Sequence, residues 1–345
     1  MKNNKITFLF LEAILLICVV CLNFSCIGKP QYQTISHNKL YGKTDYIHFS
    51  SVDTGYVITH IGDLYDSVHC TYVYQTVDGG AYWEIVDSIP NFSFRMYSHT
   101  TYRNIVYGYM NNGSQSRDGY WNSYLCMIDL KNHQHKVRNE TFYGPGDVFY
   151  CNNYVHFPVY IDKNRYIIRL DGDLNDVLYE SNTFPKNIKD ISYNDSLLAF
   201  ITYDKKVYYL QAGQMSEHQI DFPCNEILLS REDCYITYWG AREHDAGMIR
   251  ITNQSDCYET LNFPSGYKVV NILKSKNDSI IITCTRDDIC TFPKDIVYSA
   301  DKGLTWKKIS LKDPIISPMQ NSCYCAPYLY IKSTFSDEIY KLYIK

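Results

Sequence analysis

Few side chains in this sequence combine a type and a spacing that chemistry could use. Asp171-Gly172-Asp173-Leu174-Asn175-Asp176 sets oxygen ligands at alternating positions, as a calcium loop does. It lacks glycine at the sixth place, and the twelfth place is Asn182 rather than glutamate, so an Asx-rich turn is the plainer reading. His133 and His135, two apart, could share one strand face as metal ligands, yet they too fall in a polar turn. Gly240 to Gly247 encloses Arg242, Glu243, His244 and Asp245, a charged stretch longer than a tight turn needs; these four form the candidate binding loop, against the plainer reading of a flexible hairpin tip. Carboxylates are plentiful, but no spacing selects an acid–base pair. No catalytic residue, metal or cofactor is therefore assigned.

The cysteines say little about metal. No pair has the two-residue spacing of a zinc knuckle. Cys323 and Cys325 would share a strand face, and Cys284 and Cys290 flank the polar Arg286-Asp287-Asp288 turn, where they could face one another across a hairpin. A secreted setting permits disulfides, but connectivity is not readable.

That setting is suggested by the start of the chain. Lys2 and Lys5 precede a 17-residue apolar run, Ile6 to Leu22, with Glu12 as its only charge, which is short for a spanning helix and right for a signal-peptide core. The run ends at Asn23-Phe24-Ser25-Cys26. A small residue directly before cysteine resembles the lipobox of bacterial lipoproteins, in the looser form of Bacteroidetes, since Asn23 stands where an aliphatic residue is usual. The resemblance implies that Cys26 is lipidated and becomes the first mature residue. Cleavage without lipid, an uncleaved anchor, or modification at Cys21 behind Val20 are the other readings. The expected organisation is a leader over 1–25, a tether over 26–31 and one domain over 32–345. Losing Lys2, Lys5 and Glu12 removes a net charge of +1 and takes the chain from −4 to −5.

With Lys plus Arg at 33 against Asp plus Glu at 37 and no basic stretch, a nucleic-acid partner is not expected. The 46% hydrophobic content suffices for a core, and 34 tyrosines among 345 residues favour half-buried pleated surfaces over helices.

Internal period then organises the domain. Proline, which cannot donate to a ladder, recurs as Pro90, Pro145, Pro185, Pro223, Pro264 and Pro314, at intervals of 55, 40, 38, 41 and 50. Phe184, Phe222 and Phe263 stand directly before three of them. A polar turn precedes each by about 10 to 13 residues: Asp78-Gly79-Gly80, Asn132-His133, Asp171-Gly172-Asp173, Ala212-Gly213, Asn253-Gln254-Ser255 and Asp301-Lys302-Gly303. Asn194-Asp195-Ser196 and Asn277-Asp278-Ser279 repeat at an offset of 83, about two units. Each unit reads as four short strands, so the fold class expected is all-β, a propeller of seven four-stranded blades, with six or eight as the alternatives. Six units end in proline, and the last stretch, Ile315 to Lys345, has only 31 residues. Tyr32 to Tyr41 would supply its missing strand, closing the ring by pairing the two ends of the chain and removing open edges.

Two of the turns carry a motif. Ser299, Asp301, Gly303, Thr305 and Trp306 match the Asp-box, or BNR repeat, at every defining position, and Thr76, Asp78, Gly80 and Trp83 form the same box with Tyr82 in the penultimate place. The aspartate should accept turn N–H groups, the glycine supply positive φ and the tryptophan pack on a neighbouring strand. With Ile47-His48-Phe49 and Asp53-Thr54-Gly55-Tyr56-Val57 upstream, the first unit also resembles repeats of the photosystem II assembly-factor type and of sortilin-like proteins. These resemblances imply fold, not activity, and place the box on an outer rim away from the ligand mouth.

Sialidases carry the box too, but they need an arginine cluster opened by an Arg-Ile-Pro-like motif, and the early candidate, Phe94-Arg95-Met96, has no proline. Tyr208-Tyr209, the Tyr235 to Trp239 run and Tyr324 to Tyr330 could stack on sugars, though most tyrosines of a propeller fill the space between blades. The expectation is a membrane-attached envelope module that binds a protein or glycan partner, periplasmic or surface-exposed. A glycan-active enzyme on the same fold is the alternative.

Overall fold

The computed structural model describes residues 32–344 apart from 36–39, 63–65, 67, 116–120, 143–147, 152, 162–163, 176–177, 181–187, 194–196, 212–213, 231–232, 239–246, 253–256, 265–266, 274–279, 287–294, 312–321 and 334–337. The described regular structure is all strand. β1 (Tyr32–Thr34) is followed by blade 1, made of β2 (Lys43–Phe49), β3 (Gly55–Ile61), β4 (Cys70–Thr76) and β5 (Glu84–Pro90). Blade 2 comprises β6 (Ser93–Tyr102), β7 (Ile105–Gln115), β8 (Trp121–Asp129) and β9 (Gln134–Phe142), and blade 3 comprises β10 (Phe149–Cys151), β11 (Tyr154–Ile161), β12 (Asn164–Leu170) and β13 (Leu178–Glu180). Blade 4 is β14 (Ile188–Tyr193), β15 (Leu197–Thr202), β16 (Lys206–Gln211) and β17 (Gln214–Gln219); blade 5 is β18 (Cys224–Leu229), β19 (Asp233–Tyr238), β20 (Gly247–Thr252) and β21 (Tyr258–Leu261). Blade 6 is β22 (Tyr267–Leu273), β23 (Ile280–Arg286), β24 (Asp295–Ser299) and β25 (Lys307–Ser310). The chain ends in β26 (Ser322–Cys325), β27 (Tyr328–Lys332) and β28 (Ile339–Tyr343).

Within each blade the strands pair in chain order, antiparallel, and the six proline landmarks fall at or between blade ends. Here the expectation of seven four-stranded blades needs correcting. Six blades, not seven, are uninterrupted units of the chain; the remaining four-stranded sheet is a composite with the order β1-β28-β27-β26. The physical reason is supply: among the described residues the chain after blade 6 furnishes three strands. The fourth comes from the N-terminal side, with Tyr32 opposite Leu342, Gln33 opposite Lys341 and Thr34 opposite Tyr340. The closing strand is also shorter than the expected Tyr32 to Tyr41: it spans three residues, and the Ile35 N–H beyond it donates to the Ile339 carbonyl at 2.9 Å.

Hydrophobic side chains fill the space between neighbouring sheets. Tyr46, Ile58, Val73, Phe94, Val106 and Ile128 join blade 1 to blade 2. Ile47, Val57, Trp83, Tyr330 and Ile339 join blade 1 to the closing sheet, and Ile296, Tyr298, Leu329 and Leu342 join that sheet to blade 6. Burial falls from the middle of each blade outward: β15 is buried throughout, whereas β17 is exposed except at His218. The first strand of each uninterrupted blade, and β26 in the composite, therefore line the axis. The turns after first and third strands lie at one end of the ring.

Candidate functional site

The axial strands share a local irregularity. β2, β14, β18 and β22 each carry a β-bulge, between Thr44 and Tyr46, Ile188 and Asp190, Cys224 and Glu226, and Val269 and Asn271. A bulge re-aims the side chain that follows it, and in three of these strands that side chain reaches the next blade. The Tyr46 hydroxyl bonds Thr101 Oγ1, Asp190 Oδ2 accepts the Ile227 N–H at 2.7 Å, and Glu226 Oε2 accepts the Ile272 N–H at 2.8 Å. Ser192 Oγ adds a bond from the Leu229 N–H at 2.8 Å. Burial, with Asp190 close by, pushes the Glu226 carboxyl up to about 8, and burial also raises the Tyr46 hydroxyl far above the usual tyrosine range.

At the end of the ring that carries the first turns, polar side chains from four sheets converge. His48 lies two residues after Tyr46 on the same face of β2, its ring stacked on that of Tyr46 at 6.2 Å and 12°. Its Nε2 is 2.9 Å from Oδ1 of Asn104, at the β6–β7 turn. Thr100, on β6, bonds the hydroxyl of Tyr193 at the end of β14, passing the three-residue β10 between them. Cys323, on β26, accepts the Phe49 N–H at 3.2 Å, and its Sγ is 4.0 Å from His48 Nδ1. Two tyrosine hydroxyls, two threonine hydroxyls, an imidazole, an amide and a thiol thus meet near the axis. Such a set can orient a polar ligand by hydrogen bonds.

The residues singled out from the sequence lie elsewhere. At the β4–β5 turn Thr76 Oγ1 donates to Asp78 Oδ1 at 2.7 Å and accepts the Gly80 N–H at 2.9 Å, while Asp78 Oδ1 accepts the Tyr82 N–H at 3.0 Å. The β24–β25 turn repeats the pattern: Ser299 donates to Asp301 at 2.8 Å and accepts from Gly303 at 2.8 Å, and Asp301 accepts from the Thr305 N–H at 2.8 Å and its hydroxyl at 2.6 Å. These bonds, led by the Thr305 hydroxyl, hold the Asp301 carboxyl down to about 2. Gly80 and Gly303 have φ of 97° and 89°, and a Cβ at Gly303 would lie 2.6 Å from Leu261. Trp83 is buried edge-on against Phe49, and Trp306 meets Phe263, from the end of blade 5, at 4.9 Å. The second turn is also tied sideways: the Lys302 ammonium pairs with buried Asp233 at 3.4 Å, and Arg250 donates to the Lys302 carbonyl.

The Asp171 segment is a turn as well: Asp171 Oδ1 accepts the Asp173 and Asn175 N–H groups, and Lys136 of blade 2 donates to Asn175. His133 holds the positive-φ position of its turn, and His135 Nδ1 lies 2.8 Å from Asp87 Oδ2 of blade 1. Among the described residues no group of three or more His, Cys, Asp and Glu could hold a metal. Cys70, Cys126, Cys224, Cys234, Cys257, Cys323 and Cys325 carry thiols rather than disulfides. Cys26, the loop residues Arg242, Glu243, His244 and Asp245, and Cys290 lie outside the described residues, as does the Arg95 side chain. No helix among the described residues is long and apolar enough to cross a membrane.

A His-hydroxyl pair away from the axial site proves structural. Ser93 Oγ is 3.0 Å from His69 Nδ1, but Ser93 is fully buried and donates to the Ile61 and Gly62 carbonyls, locking the end of β3.

No family model matches the chain, and no curated protein does. Solved structures do. YCF48 bound to a D1 peptide superposes with a TM-score of 0.60 at 10% identity, over 92% of this chain and 97% of that one. YCF48 from Cyanidioschyzon merolae gives 0.57 at 11% identity, over 90% and 98%. An uncharacterized protein from Listeria monocytogenes EGD-e gives 0.56 at 9% identity, over 90% and 97%. At such identities the likeness shows the fold alone, and the fold is a β-propeller. The photosystem II assembly-factor resemblance of the first blade thus extends, as shape, along the chain.

Proposed function

We propose that this protein is a lipid-anchored propeller of the bacterial cell envelope that binds a protein partner through a peptide segment at the axial site. The carrying observation is the convergence of Tyr46, His48, Thr100, Thr101, Asn104 and Tyr193 from blades 1, 2 and 4, joined to one another by side-chain hydrogen bonds, while side chain-to-backbone bonds fasten the inner strands of blades 4, 5 and 6. A site on so constrained a frame loses little freedom when it is occupied. A neighbour of the same fold is known with a peptide bound. In this reading Cys26 carries the lipid, residues 26–31 are the tether, and the two boxed turns are Asp-boxes with a structural role.

The glycan-active alternative fits less well. The described arginines are dispersed: Arg138 pairs with Glu140 on β9, Arg250 pairs with Glu259 across β20 and β21, and Arg103 lies over Tyr102. Among the described residues none converge on a substrate carboxylate. The test is one screen of the chain from Lys29 onward against arrayed envelope-protein peptides and a glycan array, with a fluorogenic sialoside assay beside it. Saturable peptide binding supports the reading; sialoside cleavage, or glycan binding without peptide binding, overturns it.

A further inference from the structure

We propose that Cys323 is a nucleophilic thiol, with His48 as its base and Asn104 as the residue that positions that base, and that this site takes small disulfides and related soft electrophiles. The geometry is specific to the seam where ring closure sets β26 beside β2. Asn104 Oδ1 is an acceptor only, so the His48 Nε2 that meets it at 2.9 Å carries the proton. Nδ1 then faces Cys323 Sγ with its lone pair, 4.0 Å away. The Phe49 N–H, 3.2 Å from Sγ, points a donor at the same sulfur and favours a thiolate there, while the Phe49 carbonyl, 3.8 Å away, accepts the S–H of the neutral thiol, a contact that proton transfer to His48 replaces. Stacking on Tyr46 fixes the ring plane, and the Asn104 carbonyl, which accepts the Leu130 N–H at 3.0 Å, fixes the turn that carries the amide.

Selectivity follows from the contrast with the other thiols. Cys126, Cys224 and Cys234 are buried, and burial pushes Cys224 up to about 11, Cys234 up to about 12 and Cys126 higher still, so they stay protonated and inert. Cys323, His48 and Asn104 are each only partly buried, so a dissolved reagent can reach them. The step balances. The Cys323 proton passes to His48 Nδ1, the thiolate attacks one sulfur of a disulfide R–S–S–R, a Cys323–S–S–R bond forms as the original S–S bond breaks, and the departing RS⁻ takes the proton back from His48 to leave as RSH. This does not depend on the peptide reading, because labelling is measured without peptide and peptide binding can be measured on Cys323→Ser.

The experiment uses the folded chain, limiting iodoacetamide from pH 5.5 to 9, and peptide-level mass spectrometry, with exposed Cys257 as the internal reference. Cys323 is expected to label at least tenfold faster than Cys257 at pH 7, with its rate rising at lower pH. His48→Ala should move that rise up to the Cys257 range. Asn104→Gly, which keeps the positive φ of 68° without strain, should slow Cys323 and leave Cys257 unchanged. Oxidised glutathione should add one mixed disulfide at Cys323 and none in Cys323→Ser. The proposal is overturned if Cys323 labels no faster than Cys257, if Asn104→Gly leaves its profile unchanged, or if glutathione adds elsewhere.

Discussion

Glu226 Oε2 accepts the backbone N–H of Ile272 at 2.8 Å, fastening the inner strand of blade 5 to that of blade 6. Burial, with Asp190 close by, makes this inter-blade bond pH-sensitive, the carboxyl being raised to about 8 from an ordinary value of 4.5. A raised acid in the fold means that the folded chain holds a proton that the unfolded chain has lost, so stability falls as pH rises through that interval. The melting temperature should therefore decline between pH 5 and pH 8.5, and Glu226→Gln should flatten the decline. An identical slope in the variant would refute the assignment.

The turn aspartate behaves in the opposite sense. Asp301 is held down to about 2, so its contribution is present above the ordinary carboxylate range and is lost as pH falls from about 4 toward 2. Asp301→Asn should lower the neutral melting temperature and lessen the acid-induced loss over that window. Unchanged melting at both pH values would show that the turn bonds add nothing.

Packing behind those turns can be tested separately. Trp83 is 2% exposed and wedged against Phe49, so Trp83→Ala should cost about 3–5 kcal/mol in denaturant unfolding. Half-buried Trp306 should cost less. Gly303→Ala should also destabilise, because its Cβ would meet Leu261 at a φ disfavoured for alanine. A neutral Gly303→Ala would contradict the turn geometry.

Ring closure gives a further test. A chain beginning at Lys43 loses β1 and two buried side chains, Ile35 and Leu40, on the order of 3–6 kcal/mol of apolar burial, and leaves β28 as an open edge. It should melt well below a chain beginning at Lys29 and associate in light scattering. Equal melting and a monomeric state for both would reduce 32–41 to a tether.

Much of this frame was legible because proline and turn chemistry are local. Pro90, Pro145, Pro185, Pro223, Pro264 and Pro314 mark blade ends because proline cannot donate to a ladder, and the Asp78 and Asp301 turns declare their hydrogen bonds within seven residues. The axial site was not legible. A bulge such as that at Thr44 and Tyr46 has no compositional signature, and His48 is 56 positions from Asn104 and 275 from Cys323, so only ring closure brings them together. Cys323 drew notice only for its spacing from Cys325, since alternation tells which face a strand residue takes and not which strand lies opposite.

The lipid reading rests on one residue. Cys26→Ala should abolish incorporation of labelled fatty acid and release the protein from membranes, and undiminished lipid labelling would sink it.

The most direct test of the account is a calorimetric titration of the tightest peptide from the array into the wild-type chain and into Tyr193→Phe and Asn104→Gly. If the peptide binds where the axial strands converge, each variant should weaken Kd at least tenfold with Tm unchanged. Equal affinity in both variants, at unchanged Tm, would contradict binding at this site.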